Sequence, residues 1–390
     1  MYDAIVVGLG PAGSTAAYYL AKSGLKVLGL DKETFPRYKS CGGCISTKIQ
    51  GLLDFDISPA IEETVRGATF TYRCGRMMDI MGDKPVGYNV MRSTFDNLLL
   101  EKAKDSGAEV MEGVRVRSIE DTGASVKATL SDGRSFEGRV LVGADGSSGF
   151  IGRELFGLRP KESAVSITAE VALKRSQRDY SGKLFIEFGG VPYGYAWIFP
   201  KNDYLSVGIA GDAAKAGGRI KDCFNEFVST HPVLKGLDVS ERIGWTVPVF
   251  YEGQGASVKG RVVLVGDTGH LVDPFLGEGI YYAVRTAKAA SSVIIDYITG
   301  KGGLSDYQAW LEREIFPEFR SAGKFADLVY NHPRLWYTMI EKDHDIMLRY
   351  FGVIRGEETC AEFYAWVMGK VKSKPWKVLR RWIESRFLPA

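Results

Sequence analysis

The first thirty-one residues constrain this chain more than any other stretch. Tyr2-Asp-Ala-Ile-Val-Val runs into Gly8-Leu-Gly10-Pro-Ala12-Gly13, then an apolar run of helical character, then Val27-Leu-Gly-Leu-Asp31. That order is a buried strand, a glycine turn, a helix, a second strand and an acid at its end. The first glycine makes the tight turn, the second lets a pyrophosphate approach the backbone, and the third lets the helix pack close to the sheet. Phosphates are then expected on unpaired amides at the helix N-terminus. Asp31, eighteen residues past Gly13, is placed to accept from a ribose hydroxyl. A lone G-x-G-x-x-G is weak evidence, but set between two strands and followed by the acid it specifies a dinucleotide-binding β-α-β unit.

With 390 residues, 45% hydrophobic and 12% aromatic, the chain has enough apolar surface for two or more domains. Its 50 basic and 47 acidic residues give a net charge of +3, so composition offers no reason to expect nucleic acid. Five cysteines, Cys41, Cys44, Cys74, Cys223 and Cys360, are too few and too scattered for a disulfide scaffold. The motif leaves no room for a signal peptide, and no apolar run is long enough to span a bilayer. The expectation is a cytoplasmic protein with some capacity to touch a membrane surface.

Strand patterns recur at Ala68-Thr-Phe-Thr-Tyr, Gly87-Tyr-Asn-Val-Met and Glu109-Val-Met, and Phe95, Leu98, Leu99 and Ala103 predict a helix over 93–106. Ser125–Leu130 followed by Ser131-Asp-Gly133 predicts a hairpin, and Arg139–Gly146 a buried strand ending in Asp145-Gly146. Residues 163–250 read mostly as strands, Ala164–Leu173, Lys183–Phe188, Tyr195–Phe199 and Leu205–Ala210. Arg261–Asp267 returns to the parallel-strand pattern, a helix of small residues follows over about 280–300, and the rest is helical. The expected domains are a discontinuous nucleotide domain over 1–160 and 255–300, an antiparallel substrate domain over 161–254 and a helical domain over 301–390.

The opening motif serves NAD and FAD alike. Two further strand ends, Ala144-Asp145-Gly146 and Gly266-Asp267, would converge on the same ligand, and Gly277-Glu278-Gly279-Ile280 opens a helix whose amides face it. Three converging strand ends suit a long cofactor such as FAD, with Asp267 on the ribityl chain. No second G-x-G-x-x-G follows, so nicotinamide would bind transiently or electrons would come from a protein donor.

Gly8-x-Gly10-x-x-Gly13, Arg92 before Phe95-Asp96, Asp145-Gly146 and Gly266-Asp267 resemble flavoproteins of the p-hydroxybenzoate hydroxylase type. Within them, Cys41-Gly42-Gly43, the stretch Pro192-Tyr193-Gly-Tyr195-Ala-Trp197-Ile-Phe199-Pro-Lys201, and Asp273-Pro274 leading into Gly277–Ile280 resemble the geranylgeranyl reductase family. The resemblance covers about residues 1–300. It implies an α/β fold: a Rossmann-like FAD-binding domain, an inserted antiparallel β-sheet domain and a C-terminal helical region. It implies saturation of carbon–carbon double bonds in a geranylgeranyl chain of an ether lipid, a quinone or chlorophyll precursor, or a free diphosphate. It places FAD contacts at Gly13, Ser14, Asp31, Cys41, Gly42, Arg92, Val116, Asp267, Gly279 and Ile280. Ala12, Lys32, Gly43, Cys44, Gly277 and Glu278 complete the expected cradle, with Gly8, Gly10, Asp145 and Gly146.

Reduced flavin would deliver hydride from N5, and a general acid must supply the proton. The candidate catalytic groups are Cys41, Tyr193 and Tyr195, with Tyr195 and Trp197 offering aromatic faces to developing cationic charge. NADPH or reduced ferredoxin is the expected electron source, and a prenyl lipid and an electron-carrier protein are the expected partners. Cys41-x-x-Cys44 also reads as a redox dithiol. No metal site is expected, because the four histidines are not clustered. His270 is either catalytic or structural. The aromatic tail, from Phe325 to Phe351, is either plain helix packing or the lid of a tunnel for a C20 chain. Lys370–Ile383 is basic with aromatic anchors, as in helices that lie on anionic membranes, or is a solvated helix. The rival functions are an aromatic hydroxylase of the same fold, a flavin halogenase, and a prenyl-lipid-binding protein without turnover. The halogenase pattern W-x-W-x-I-P is departed from at Tyr195 and Phe199.

Overall fold

Strand β1 (Tyr2–Val7), helix α1 (Pro11–Lys22) and β2 (Val27–Leu30) open the chain. The computed structural model describes residues 1–158, 163–177, 180–373 and 375–385. Short strands follow: β3 (Cys44–Ser46), β4 (Ile61–Val65), β5 (Gly67–Tyr72), β6 (Met78–Met81) and β7 (Gly87–Val90). Helix α2 (Arg92–Asp105) leads to β8 (Glu109–Met111), β9 (Val116–Asp121), β10 (Val126–Leu130) and β11 (Ser135–Gly143). After α3 (Ile151–Phe156) come β12 (Ala164–Ala172), β13 (Lys183–Phe188), β14 (Gly194–Pro200), β15 (Tyr204–Asp212), α4 (Ala213–Ala216), α5 (Ile220–Thr230) and β16 (Ile243–Val247). Strands β17 (Val258–Lys259) and β18 (Val262–Leu264) precede α6 (Ile280–Ile298). The tail is helical: α7 (Ser305–Glu314), α8 (Phe316–Asn331), α9 (Pro333–Lys342), α10 (Asp345–Arg355), α11 (Cys360–Ser373) and α12 (Pro375–Ser385). No helix among the described residues is long and apolar enough to cross a membrane.

The nucleotide sheet runs β17-β18-β11-β1-β2-β8, with β18, β11, β1, β2 and β8 parallel. Its central strands are buried on both faces, which is why they read as continuous apolar runs. Helices α1, α2 and α6 share one core with this sheet, through Ala16, Leu20, Phe95, Leu99, Ala287 and Ile294. The parallel order brings the C-terminal ends of β1, β11 and β18 side by side, where a doubly wound sheet binds its ligand.

A second sheet runs β16-β12-β15-β14-β13-β5-β6. It is antiparallel within 164–247, as expected, but extends beyond it: β5 and β6 come from 67–81, and β5 pairs with β13 in parallel. Pairing of that kind is made by backbone groups across more than a hundred residues and leaves no local pattern in the sequence. The boundary expected between residues 160 and 161 lies outside the described residues. The regular structure of residues 163–250 is mostly strand, and helix α5 is an element the strand pattern did not mark. It packs Phe224 and Phe227 against Ile167, Ile198 and Ile209 on the sheet's outer face. The inner face meets the tail helices, where Phe70 and Phe188 share a core with Phe325, Trp336, Tyr350 and Phe363.

Glu187 is buried on β13, and burial pushes its carboxyl up to about 8. In the unfolded chain the group ionises near its ordinary value, so across the window from there to about 8 the folded state holds the extra proton. Stability must therefore fall as pH rises through that window. Glu187→Gln is expected to recover most of this loss, on the order of 4 kcal/mol. Urea midpoints of both proteins at about pH 5 and about pH 9 check it, the variant showing the flatter dependence.

Candidate active site

One cavity of about 820 Å³ begins at the glycine turn, passes the Cys41–Cys44 loop and ends among the tail helices. At its first end stand Gly8, Gly10, Pro11, Ala12, Asp31, Lys32 and Val116. Gly8 has φ +91°, and a Cβ there would stand 2.2 Å from the Ala144 carbonyl oxygen. A Cβ on Gly13 would stand 1.7 Å from the Gly8 oxygen, whereas one on Gly10 would meet only the Arg37 guanidinium, at 3.5 Å. Gly8 and Gly13 thus close the turn on the helix, and Gly10 leaves room above it. Gly13 and Ser14 lie behind the wall, the Ser14 hydroxyl donating to the Leu9 carbonyl at 2.7 Å. Asp31 accepts from the Leu9 amide at 2.5 Å and the Glu33 amide at 2.8 Å, so the turn holds its carboxylate in place.

The middle of the cavity gathers Cys41, Gly42, Gly43, Cys44, Arg92, Asp145, Gly146, Asp267 and Gly277–Ile280 from five separate segments. Arg92 grips the fully buried Asp96 with two hydrogen bonds, at 2.8 and 2.7 Å, and Arg37 reaches the same carboxylate at 2.9 Å. The Cys41 thiol lies beside Arg92. Burial pushes the Asp267 carboxyl up, opposed by Lys39 and Arg92, and Asp267 Oδ1 would stand 3.3 Å from a Cβ on Gly279, at the N-terminus of α6. Two further expected contacts, like Asp31, each have a carboxylate oxygen bonded within the protein. Asp145 Oδ2 accepts from the Phe150 and Ile151 amides, at 2.7 and 3.1 Å, and Glu278 pairs with Lys48 at 2.9 Å. Their chain segments line the cavity, but those carboxylate oxygens serve the protein.

The Cys41–Cys44 loop lies flat on an aromatic row. Tyr195, Trp197 and Phe199 alternate along β14 and face the cavity, while Ala196 and Ile198 face the other core. A Cβ on Gly42 would come within 2.7 Å of the Phe199 ring and 3.0 Å of Trp197 Nε1. The Trp197 indole lies across Gly208, where a Cβ would stand 2.2 Å from its ring, and its buried Nε1 has no hydrogen-bond partner among the described residues. Tyr195 donates to the Leu276 carbonyl at 2.6 Å and Tyr193 to Asp327 at 2.7 Å, so both hydroxyl protons are already committed. Cys41 and Cys44 are free thiols. Burial pushes the Cys44 thiol up to about 12, which makes it a poor redox partner at neutral pH. His270 is not part of the cavity wall, and burial pushes its imidazole down.

Several polar groups here carry no sequence signal. Lys39 lines the cavity with its ammonium 3.3 Å from the centre of the Trp245 ring, and burial followed by the charge of Arg92 pushes it down to about 7. Trp245 donates to Ser147 at 2.7 Å, tying the edge of the second sheet to the nucleotide domain. Beneath the cysteine loop, Lys201 meets Glu170 at 3.3 Å, and the Ser206 hydroxyl donates to Glu170 at 3.0 Å with the Cys41 carbonyl as its alternative acceptor at 3.5 Å. The motif ending at Lys201 marked one member, but its partners come from β12 and β15.

The far end is apolar: Phe70, Leu184, Ile186 and Phe188 from the sheet, and Phe325, Tyr330, Trp336, Met347, Tyr350, Phe351 and Ile354 from α8, α9 and α10. The tail aromatics therefore both pack the core and wall the cavity.

The residues present fit an FAD. The glycine turn leaves space above Gly10, Asp267 faces the opening of α6, and Gly42 lets the cysteine loop pack close on the Trp197 and Phe199 rings along the cavity wall. A family model described as an FAD binding domain matches residues 1–187. An uncharacterized protein of Methanosarcina barkeri is 33% identical, over 91% of this chain and 90% of its own length. The geranylgeranyl diphosphate reductase of Rhodobacter capsulatus is 31% identical, over 76% of each chain. Among solved structures, a geranylgeranyl bacteriochlorophyll reductase-like protein from Thermoplasma acidophilum superposes with a TM-score of 0.76, covering 98% of this chain and 99% of that one at 22% identity.

Proposed function

Because this chain belongs to the geranylgeranyl reductase family of flavin-dependent oxidoreductases, we propose that it saturates carbon–carbon double bonds in the geranylgeranyl chain of a lipid or diphosphate. The observation that carries this reading is the continuity of one cavity from a dinucleotide cradle into a long slot walled by Phe70, Ile186, Phe188, Trp336, Met347 and Phe351. A compact aromatic substrate does not need such a slot, whereas a C20 chain does.

Bound FAD, once reduced, supplies the hydride. The chain's own residues do the rest. The slot holds the apolar substrate by excluding water from it. Trp197 and Tyr195 offer ring faces to positive charge that develops on the more substituted alkene carbon. Cys41 is the candidate acid: its Sγ proton goes to the alkene carbon that takes no hydride, and Arg92 beside it holds the resulting thiolate until water reprotonates it. Tyr195 is less suited, since its proton is held by Leu276 and burial pushes its pKa up. Ser206, whose hydroxyl lies between Glu170 and the Cys41 carbonyl, links the Lys201–Glu170 pair to the Cys41 loop. NADPH or a ferredoxin-type carrier is the electron source in this reading, visiting the flavin transiently.

The test uses dithionite-reduced protein, without oxygen, with geranylgeranyl phospholipid and geranylgeranyl diphosphate in separate reactions. A gain of two hydrogens per bond is expected with at least one of them, and Cys41→Ser is expected to lower turnover about a hundredfold with flavin content unchanged. No mass gain with either substrate counts against prenyl reduction. Oxygen-dependent NADPH consumption stimulated by a phenol would favour a hydroxylase instead.

A further inference from the structure

Helix α12 turns its apolar side outward. Trp376 is 79% exposed, Leu379 44%, Trp382 40% and Ile383 47%. Positions 376, 379 and 383 share one face of a helix, with 382 at its margin. Ser385, by contrast, is 4% exposed, on the side that packs toward the body of the protein. A surface helix ordinarily buries its apolar stripe in the core and shows polar residues to water. Here that arrangement is reversed.

The charge around it is one-sided. From Lys370 to the last residue the sequence holds seven cations, Lys370, Lys372, Lys374, Lys377, Arg380, Arg381 and Arg386, against one acid, Glu384. Lys370 is paired with Asp343 and Arg380 with Glu384, which still leaves a large excess of positive charge. We propose that α12 and its basic flank dock on a bilayer that carries anionic headgroups. Apolar residues would enter the boundary between headgroups and acyl chains, and the cations would lie at the phosphates. A second copy of this chain is a poor occupant, because facing tails would set one cationic cluster against another.

The position of the helix adds a consequence. α12 packs on α9 and α11, and Trp336 of α9 lines the apolar end of the cavity. The docked face thus lies one helix away from the slot. The docking stands on exposure and charge and does not depend on the prenyl reading.

Full-length FAD-loaded protein is sedimented with phosphatidylcholine vesicles, with and without phosphatidylglycerol. Binding is expected with the anionic vesicles, to weaken as salt rises, and to fall about tenfold with neutral ones. Trp376→Ser combined with Leu379→Ser is expected to lower binding about tenfold with flavin absorbance and thermal midpoint unchanged. Equal binding by this variant, or equal binding to neutral vesicles, overturns the proposal. So does a dimer on light scattering that the double variant dissociates, since a second copy would then cover the face. Vesicle binding without prenyl reduction would uphold the docking while removing the proposed reaction.

Discussion

Gly13→Ala is expected to yield a protein that purifies without flavin. The added Cβ would sit 1.7 Å from the Gly8 oxygen, 2.8 Å from its carbonyl carbon and 3.2 Å from the Ala144 Cβ. The nearest two atoms are backbone of the turn itself, so no side chain can swing aside. Relief requires α1 to move off β1, which carries the helix N-terminus away from where the pyrophosphate must lie. FAD affinity should fall at least about a hundredfold, or about 2.7 kcal/mol. Flavin fluorescence titration measures it. Gly10→Ala is the informative companion: its Cβ has open space apart from the Arg37 guanidinium. It should leave the thermal midpoint of the flavin-free protein unchanged and still weaken FAD, whereas Gly13→Ala lowers both. Normal flavin content in Gly13→Ala would mean that the turn does not form the cofactor cradle.

Ile186→Arg should do the opposite, keeping flavin and losing turnover. Ile186 lies between Leu184 and Phe188 on β13, half-buried, where the cavity is apolar. Partial exposure lets an arginine stem lie along the slot with its head toward water, so the fold should survive. A prenyl chain would then have to displace or bury that charge, at a cost of several kcal/mol. A fall in kcat/KM of at least about a hundredfold is expected with the flavin spectrum unchanged. Steady-state assays with a geranylgeranyl lipid check it, and unchanged kinetics would mean that the substrate takes another path.

The parts legible in the sequence are those that are local. Gly8 to Asp31 is contiguous, and each glycine has a steric reason that survives in the structure. The Tyr195-Trp197-Phe199 row was legible because a strand's alternation says which side chains share a face. Side-chain direction within the cavity was not legible. Asp145 and Glu278 sit at the expected places, yet their carboxylates bond to nearby amides and to Lys48. The hydroxyl of Tyr195, a candidate acid from its expected place beside the ring, is held by a carbonyl from another loop. Lys39, Trp245 and the Glu170–Lys201 pair were missed because each acquires its meaning from a partner far along the chain. The tail could not be divided between packing and tunnel wall from spacing, because the same helical period serves both, and Trp336 and Tyr350 do both.

The parallel pairing of β5 with β13 has a consequence for engineering. The floor of the apolar slot is stitched from two stretches, one ahead of α2 and one well after β11, so neither carries it alone. A graft that exchanged residues 161–254 between relatives would combine one parent's β13 with the other's β5 along a shared hydrogen-bonded seam. Transplanting the slot therefore calls for moving 67–81 together with the later strands, and a fragment beginning after β11 would leave the outer edge of β13 open to pairing with other chains.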